Sequence, residues 1–171
     1  MKFLIHASLL FALTLSGQVA AQEKSGHLVE QTHFCAEDES VEHPVPIPND
    51  VRAILAKDES VQLILEDKKL SADKLPESWF SASSIHLSSS KEADLVVMAE
   101  GLLRGANVVE FWIFRATPTG HELVLSAPAH DLIVKKTRWK RFREIEISAE
   151  TAVEFTAVQF RWDGVKYVEF R

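Results

Sequence analysis

Apolar residues recur along this chain at two different spacings, which predict helices first and strands afterwards. In the first set they are three or four positions apart, the spacing of one buried face of an α-helix. Its members are Val51, Ile54, Leu55, Val61, Ile64 and Leu65. Asn49 and Asp58 precede the two halves of this set and are residue types that cap helix N termini. The sequence therefore predicts two short helices, at residues 50–57 and 59–67.

After residue 81 apolar and polar residues alternate, which is typical of strands with one buried face. Turn residues separate the alternating stretches, and the clearest is the hairpin pair Asp163-Gly164. The predicted strands cover residues 84–87, 94–100, 108–115, 122–126, 131–136, 142–148, 153–162 and 165–170. Short strands joined by short turns favour an antiparallel meander. We therefore predict an α+β fold in which short N-terminal helices pack on a curved, mostly antiparallel meander sheet.

The predicted strand at residues 108–114 differs from the others because both of its faces are apolar. Only Glu110 interrupts the apolar run. Such a composition is typical of a strand that is covered on both sides. We expect the helices to cover one face and a second layer, or a partner, to cover the other.

The first 21 residues have the pattern of a secretory signal peptide. Lys2 supplies the positive charge, residues 3–15 form an apolar run, and Val19-Ala20-Ala21 offers small residues for cleavage. Residues 22–48 are predicted as an extended segment that ends in a proline-rich connector, and residues 49–171 as a single α+β domain. No second long apolar stretch occurs, so we expect no transmembrane segment in the mature chain. The predicted location is the periplasm or the outside of the cell.

Charge is distributed unevenly along the chain. The net charge of −6 argues against nucleic acid as a partner. Basic residues nevertheless concentrate in one short stretch, where like charges repel unless an anion neutralises them. With one interleaved tryptophan, which offers a stacking face, they form the predicted binding site: Lys135, Lys136, Arg138, Trp139, Lys140, Arg141 and Arg143. The alternative interpretation is a solvated hairpin tip whose charges prevent edge-to-edge aggregation.

Cys35 is the only cysteine, so the chain cannot form an intrachain disulfide. In a strand, His33 and Cys35 would point to one face, and with His43 they offer ligands for a transition metal. Their spacing matches no standard zinc pattern, so the sequence predicts no metal site and no cofactor. The favoured interpretation of Cys35 is a small buried side chain.

The second half of the chain contains aromatic strand-and-turn motifs that carry a resemblance. They are Phe-Trp-Ile-Phe-Arg at 111–115, Glu-Leu-Val-Leu at 122–125, Phe-Arg-Glu-Ile at 142–145 and Phe-Arg-Trp-Asp-Gly-Val-Lys-Tyr at 160–167. Across residues 94–171 the chain resembles a loose family of uncharacterised exported bacterial proteins with a C-terminal aromatic-Asp-Gly-x-x-Tyr hairpin. Those proteins usually carry Gly where this chain has Arg141. The resemblance implies a shared fold and no known activity.

Motifs of common catalytic machinery are absent from the sequence, including Gly-x-Ser-x-Gly, His-Glu-x-x-His and phosphate-binding glycine loops. The sequence therefore favours an exported non-catalytic binding protein that contacts an unknown acidic protein or anionic envelope polymer through residues 135–143. One alternative is an exported hydrolase with a dispersed site drawn from His86, His121 and His130. Another is a structural accessory subunit of an envelope assembly, joined through residues 108–114.

Overall fold

The computed structural model describes residues 29–150 and 155–170. The predicted signal peptide, residues 22–28 and residues 153–154 of a predicted strand lie outside the described residues. The α-helices are α1 (Asn49–Leu55) and α2 (Glu59–Asp67). The strands are β1 (His33–Cys35), β2 (Phe80–Ile85), β3 (Asp94–Ala99), β4 (Val109–Thr117), β5 (Gly120–Ala129), β6 (Asp131–Trp139), β7 (Phe142–Glu150), β8 (Phe155–Trp162) and β9 (Tyr167–Phe170). Within this described part, no helix is long and apolar enough to cross a membrane.

The strands form two antiparallel sheets, and the predicted α+β class is confirmed. One sheet has the order β2-β3-β4-β5, and the other has the order β1-β6-β7-β8-β9. The sequence predicts one sheet, whereas the chain changes sheets between Ala129 and Asp131. The single residue between them, His130, therefore forms the corner at which the two sheets meet.

Strand β1 is a strand that the sequence analysis does not predict. It has only three residues and pairs with β6, with Cys35 opposite Asp131 and His33 opposite Ile133. Because paired residues in an antiparallel ladder point to the same face, Cys35 and Asp131 lie side by side. The pairing of β1 with β6 thus brings the N-terminal segment to the corner between the two sheets.

The central strand β4 is buried on both faces, as its composition predicts. Its residues Phe111, Trp112, Ile113 and Phe114 are all fully buried. Asp58 connects this strand to α2: Oδ1 accepts a hydrogen bond from the backbone N–H of Ser60 at 3.0 Å and caps the helix, while Oδ2 accepts from Trp112 Nε1 at 2.9 Å. Asn49, predicted as the cap of α1, is instead its first residue, since Pro48 occupies the cap position.

The guanidinium of Arg143 is buried beneath an irregular part of the β6–β7 pairing. The register of the two strands shifts between Val134 and Arg138. Arg143 donates from Nε to the carbonyl oxygen of Lys135 at 2.6 Å and from Nη2 to that of Val134 at 2.7 Å. Its Nη1 lies 2.7 Å from Glu30 Oε2. Arg143 thus satisfies carbonyl groups in the shifted stretch and ties the N-terminal segment to the sheet.

Replacing Arg143 by Met is expected to lower the free energy of unfolding by about 3 kcal/mol, because Glu30 and two strand carbonyls would lose their common donor. The matched control is Lys136→Met, which removes the same charge from an exposed position on the same strand pair. Urea denaturation followed by tryptophan fluorescence measures the difference. Equal midpoints for the two variants would contradict the structural role of Arg143.

Candidate functional site

The end of the β6–β7 hairpin, residues 135–143, holds the predicted binding residues and is called the basic hairpin here. Trp139 and Phe142 form its last strand pair, so Lys140 and Arg141 alone make the turn. Both turn residues have positive φ, of 46° and 73°. Two-residue hairpins with positive φ at both positions are type I′ turns, which favour Asn-Gly. Lys140 and Arg141 therefore occupy a turn that is strained for L side chains.

The predicted binding residues fall into two groups. Lys135 and Arg143 are committed to internal contacts: Lys135 Nζ lies 2.6 Å from Glu146 Oε2, and the guanidinium of Arg143 is buried as described. The other basic residues are exposed, and among the described residues none of them lies within ion-pair distance of a carboxylate. They are Lys136, Arg138, Lys140 and Arg141. The structure thus brings four exposed cations to one hairpin end.

Contacts with backbone carbonyls hold two of these cations near the turn. Arg138 donates from Nη1 to the carbonyl oxygen of Arg141 at 2.9 Å and to that of Leu87 at 3.2 Å. Lys140 donates from Nζ to the carbonyl oxygen of Asp163 at 3.2 Å. These bonds leave the positive charges without a neutralising anion from the described chain.

Trp139 gives the basic hairpin a flat apolar surface. Its side chain is 46% exposed. The guanidinium of Arg161 lies 4.9 Å from the centre of the Trp139 ring and 3.5 Å from that of Phe170. Glu144 Oε1 accepts from Arg161 Nε at 2.6 Å and fixes that guanidinium. A stacked Trp–Arg pair therefore lies beside the four exposed cations.

Asp163, an acidic residue close to the turn, is already engaged in its own loop. Its Oδ1 accepts hydrogen bonds from the backbone N–H groups of Val165 at 2.7 Å and Lys166 at 2.9 Å. These N–H groups, Lys166 first and then Val165, lower the pKa of Asp163, and the charges of Lys166 and Lys140 add to the effect. The carboxylate is thus bound to backbone in the β8–β9 loop.

A second group of chemically versatile side chains lies at the other end of β6, and we call it the corner cluster. It consists of Cys35, His130 and Asp131, whose ligating atoms all lie within 4.8 Å of one another. His130 Nδ1 is 4.0 Å from Cys35 Sγ and 3.1 Å from Asp131 Oδ2. All three residues are half-buried. The cluster combines a thiol, an imidazole and a carboxylate.

Backbone hydrogen bonds hold the corner cluster in place. The N–H of His130 donates to the carbonyl oxygen of Ser148 at 2.7 Å, and its own carbonyl oxygen accepts from the N–H of Ala36 at 2.6 Å. Arg104 donates to the carbonyl oxygens of Ala36 and Asp38 in the turn after β1. Both segments that supply the cluster are therefore fixed to the sheets.

The local environment sets the charges of the corner cluster. Burial alone would raise the pKa of Asp131, but hydrogen bonds from His33, His130 and Ser148 outweigh it and hold the pKa at about 2. Burial raises the pKa of the Cys35 thiol, although the backbone N–H of Glu37 opposes the shift. At neutral pH the cluster therefore contains a carboxylate and a protonated thiol.

His86, His121 and His130, the histidines of the alternative hydrolase site, contact three different carboxylates. His43 lines a surface pocket with His86 and Glu30 rather than joining Cys35. His86 Nδ1 lies 3.2 Å from Glu30 Oε1, and His121 Nδ1 lies 2.9 Å from Asp50 Oδ2. His130, in the corner cluster, contacts a third carboxylate. Sequence reasoning missed the cluster, since Cys35 and His130 are 95 positions apart.

Comparisons of the chain with protein-family models, with curated proteins and with solved structures give no match. The described residues define an α+β protein of two antiparallel sheets, with the basic hairpin at one end of β6 and the corner cluster at the other. The resemblance of its second half to exported bacterial proteins stays a prediction.

Replacing Arg141 by Gly is expected to raise the free energy of unfolding by roughly 0.5–1 kcal/mol, because relief of positive-φ strain exceeds the extra chain entropy of glycine. Lys136→Gly is the control, since a glycine within a strand is destabilising. Thermal unfolding of both variants gives the comparison. A lower melting temperature for Arg141→Gly would show that the turn is not strained.

Proposed function

We propose that this protein is an exported, non-catalytic binding protein that uses the basic hairpin to contact closely spaced carboxylate or phosphate groups. The observation that supports this proposal is the set of four exposed cations without a carboxylate partner among the described residues. The proposal includes the location predicted from the sequence, which is the periplasm or the outside of the cell. It also includes the fold expected from the sequence, in which short helices pack on a curved meander sheet.

Electrostatic repulsion within the basic hairpin favours an anionic partner. Lys136, Arg138, Lys140 and Arg141 lie within six consecutive positions of one chain. Bringing like charges this close raises the free energy of the unbound protein, and an anionic partner relieves the repulsion. The net charge of the whole chain is −6, so this local positive potential also orients an approaching polyanion toward the hairpin.

The hairpin is preorganised for this contact. A two-residue turn leaves little freedom between β6 and β7, and the carbonyl contacts of Arg138 and Lys140 restrict their side chains. Side chains that are already ordered lose less entropy on binding. Arg138 can offer a planar guanidinium to a carboxylate or phosphate group. Trp139, stacked with Arg161, adds a rigid surface for an apolar part of the partner.

The two alternative functions receive less support from the geometry. An assembly subunit joined through residues 108–114 requires exposed apolar surface there, yet Val109 and residues 111–114 are buried within the chain. A hydrolase built from His86, His121 and His130 requires these histidines to converge, yet each contacts a different carboxylate. The binding proposal requires neither condition.

Charge reversal of Arg138, Lys140 and Arg141 to Glu is expected to weaken the affinity for polyanions at least about tenfold. Because exposed charges contribute little to folding, the stability of the variant should change little. The control reverses Lys57, Lys74 and Lys91, which are exposed on other elements and give the same change in net charge. Two defined probes separate the possible sources: polyglutamate supplies carboxylates, and vesicles with anionic phospholipid supply phosphates.

Affinities are measured at low and at high salt, because screening weakens contacts between exposed charges. Preference for polyglutamate indicates an acidic protein as the partner, and preference for vesicles indicates a phosphate-bearing envelope polymer or lipid. Binding that survives high salt, or that falls equally in both triple variants, would contradict a contact through the basic hairpin.

A further inference from the structure

We propose that Cys35, His130 and Asp131 bind a divalent transition-metal ion of the Zn²⁺ type. The corner cluster provides three different ligating atoms within 4.8 Å of one another. They come from β1, from the corner itself and from the first residue of β6. The proposal does not depend on the basic hairpin, because β6 runs for nine residues and separates Asp131 from the turn of that hairpin by roughly 25 Å.

The positions of the three ligating atoms suit a tetrahedral ion. With the bond lengths usual for zinc, ligand atoms in such a site stand about 3.3–3.6 Å apart. His130 Nδ1 lies 3.1 Å from Asp131 Oδ2 and 4.0 Å from Cys35 Sγ. Cys35 Sγ and the ligating oxygen of Asp131 lie within 4.8 Å of each other. Side-chain movements of roughly 1 Å therefore bring the three atoms to these separations. Three protein ligands leave the fourth position of the ion for water or another small ligand.

His33 is a positioning residue for the carboxylate of this site. Its Nε2 lies 2.9 Å from Asp131 Oδ1, and Ser148 Oγ donates to Asp131 Oδ2 at 2.9 Å. Outer partners of this kind fix the direction of a ligating carboxylate. Because His33 holds Oδ1, the second oxygen, Oδ2, faces His130.

The chemistry of the donors selects the class of ion. A thiolate and an imidazole bind Zn²⁺, Co²⁺, Ni²⁺ or Cu²⁺ far better than they bind Mg²⁺ or Ca²⁺, which prefer oxygen ligands. Binding replaces the S–H bond of Cys35 with a sulfur–metal bond and releases one proton to solvent, with no change in oxidation state. The thiolate and the Asp131 carboxylate then balance the two positive charges of the ion.

Titration of the full chain with Co²⁺ tests the proposal. Thiolate ligation to Co²⁺ produces a charge-transfer absorption band in the near ultraviolet, and Cys35 is the only cysteine in the sequence. We expect this band to saturate at one ion per chain, and we expect Zn²⁺ to displace the Co²⁺ and remove the band. Cys35→Ser should abolish the band.

Variants of the neighbouring residues distinguish an intrachain site from a thiol that binds alone or between two chains. His130→Gln and Asp131→Asn should each weaken affinity by more than the roughly 10–100-fold expected for His33→Gln, an outer-partner variant that should retain the band. His43→Gln is the control, because His43 is close in sequence but lies in a different pocket. Circular dichroism of the metal-free variants verifies that each is folded.

Three results would overturn the proposal. The first is binding of Co²⁺ without a Cys35-dependent band in the wild-type chain. The second is a band that keeps wild-type affinity in His130→Gln, since Cys35 would then bind the ion without its proposed neighbour. The third is a loss of Co²⁺ affinity in His43→Gln as large as the loss in His130→Gln, since His43 lies in a different pocket.

Discussion

The two-sheet arrangement depends most on the hydrogen bonds and the ion pair of the buried Arg143 guanidinium. Where the β6–β7 register shifts, the carbonyl groups of Val134 and Lys135 are satisfied by this side chain. The same guanidinium pairs with Glu30, whose carboxylate also accepts from the backbone N–H of His86, the residue after β2. Losing one partner would leave several buried polar groups unsatisfied, and this makes the interaction hard to replace.

The backbone of Arg143 extends this connection to the second sheet. Its N–H donates to the carbonyl oxygen of Leu87 at 2.7 Å, and its carbonyl oxygen accepts from Tyr167 Oη at 2.8 Å. The N–H of Leu87 in turn donates to Asp94 Oδ2 at 2.8 Å, and Asp94 Oδ1 accepts from the N–H of Ala116 at 2.9 Å. Burial raises the pKa of Asp94, while these two N–H groups oppose the shift. A chain of polar contacts therefore joins β7 and β9 to β3 and β4 through the loop after β2.

Sequence patterns predicted the features that depend on residues close together in the chain, namely strand positions and a helix cap. The alternation after residue 81 located the strands from β3 to β9 to within a few residues, and Asp58 caps α2 as its residue type indicates. The division into two sheets was not predictable, because β5 continues through Pro128 to Ala129 and His130 alone separates it from β6. The burial of Arg143 was not predictable either. In the sequence it is one of several basic residues, and only its contacts with the carbonyl groups at the register shift make it structural.

The separation of residues in the sequence also explains why the basic hairpin was predicted and the corner cluster was not. The basic hairpin is continuous in sequence, so its charge density is visible without a structure. The corner cluster requires the pairing of β1 with β6, which joins residues 95 or more positions apart through a strand of three residues. Closing so long a loop costs entropy that three ladder pairs contribute little to offset. The Arg143–Glu30 ion pair and the Arg104 contacts to the turn after β1 supply further attachment of this segment. The geometry of the corner cluster therefore depends on arginine contacts that lie outside it.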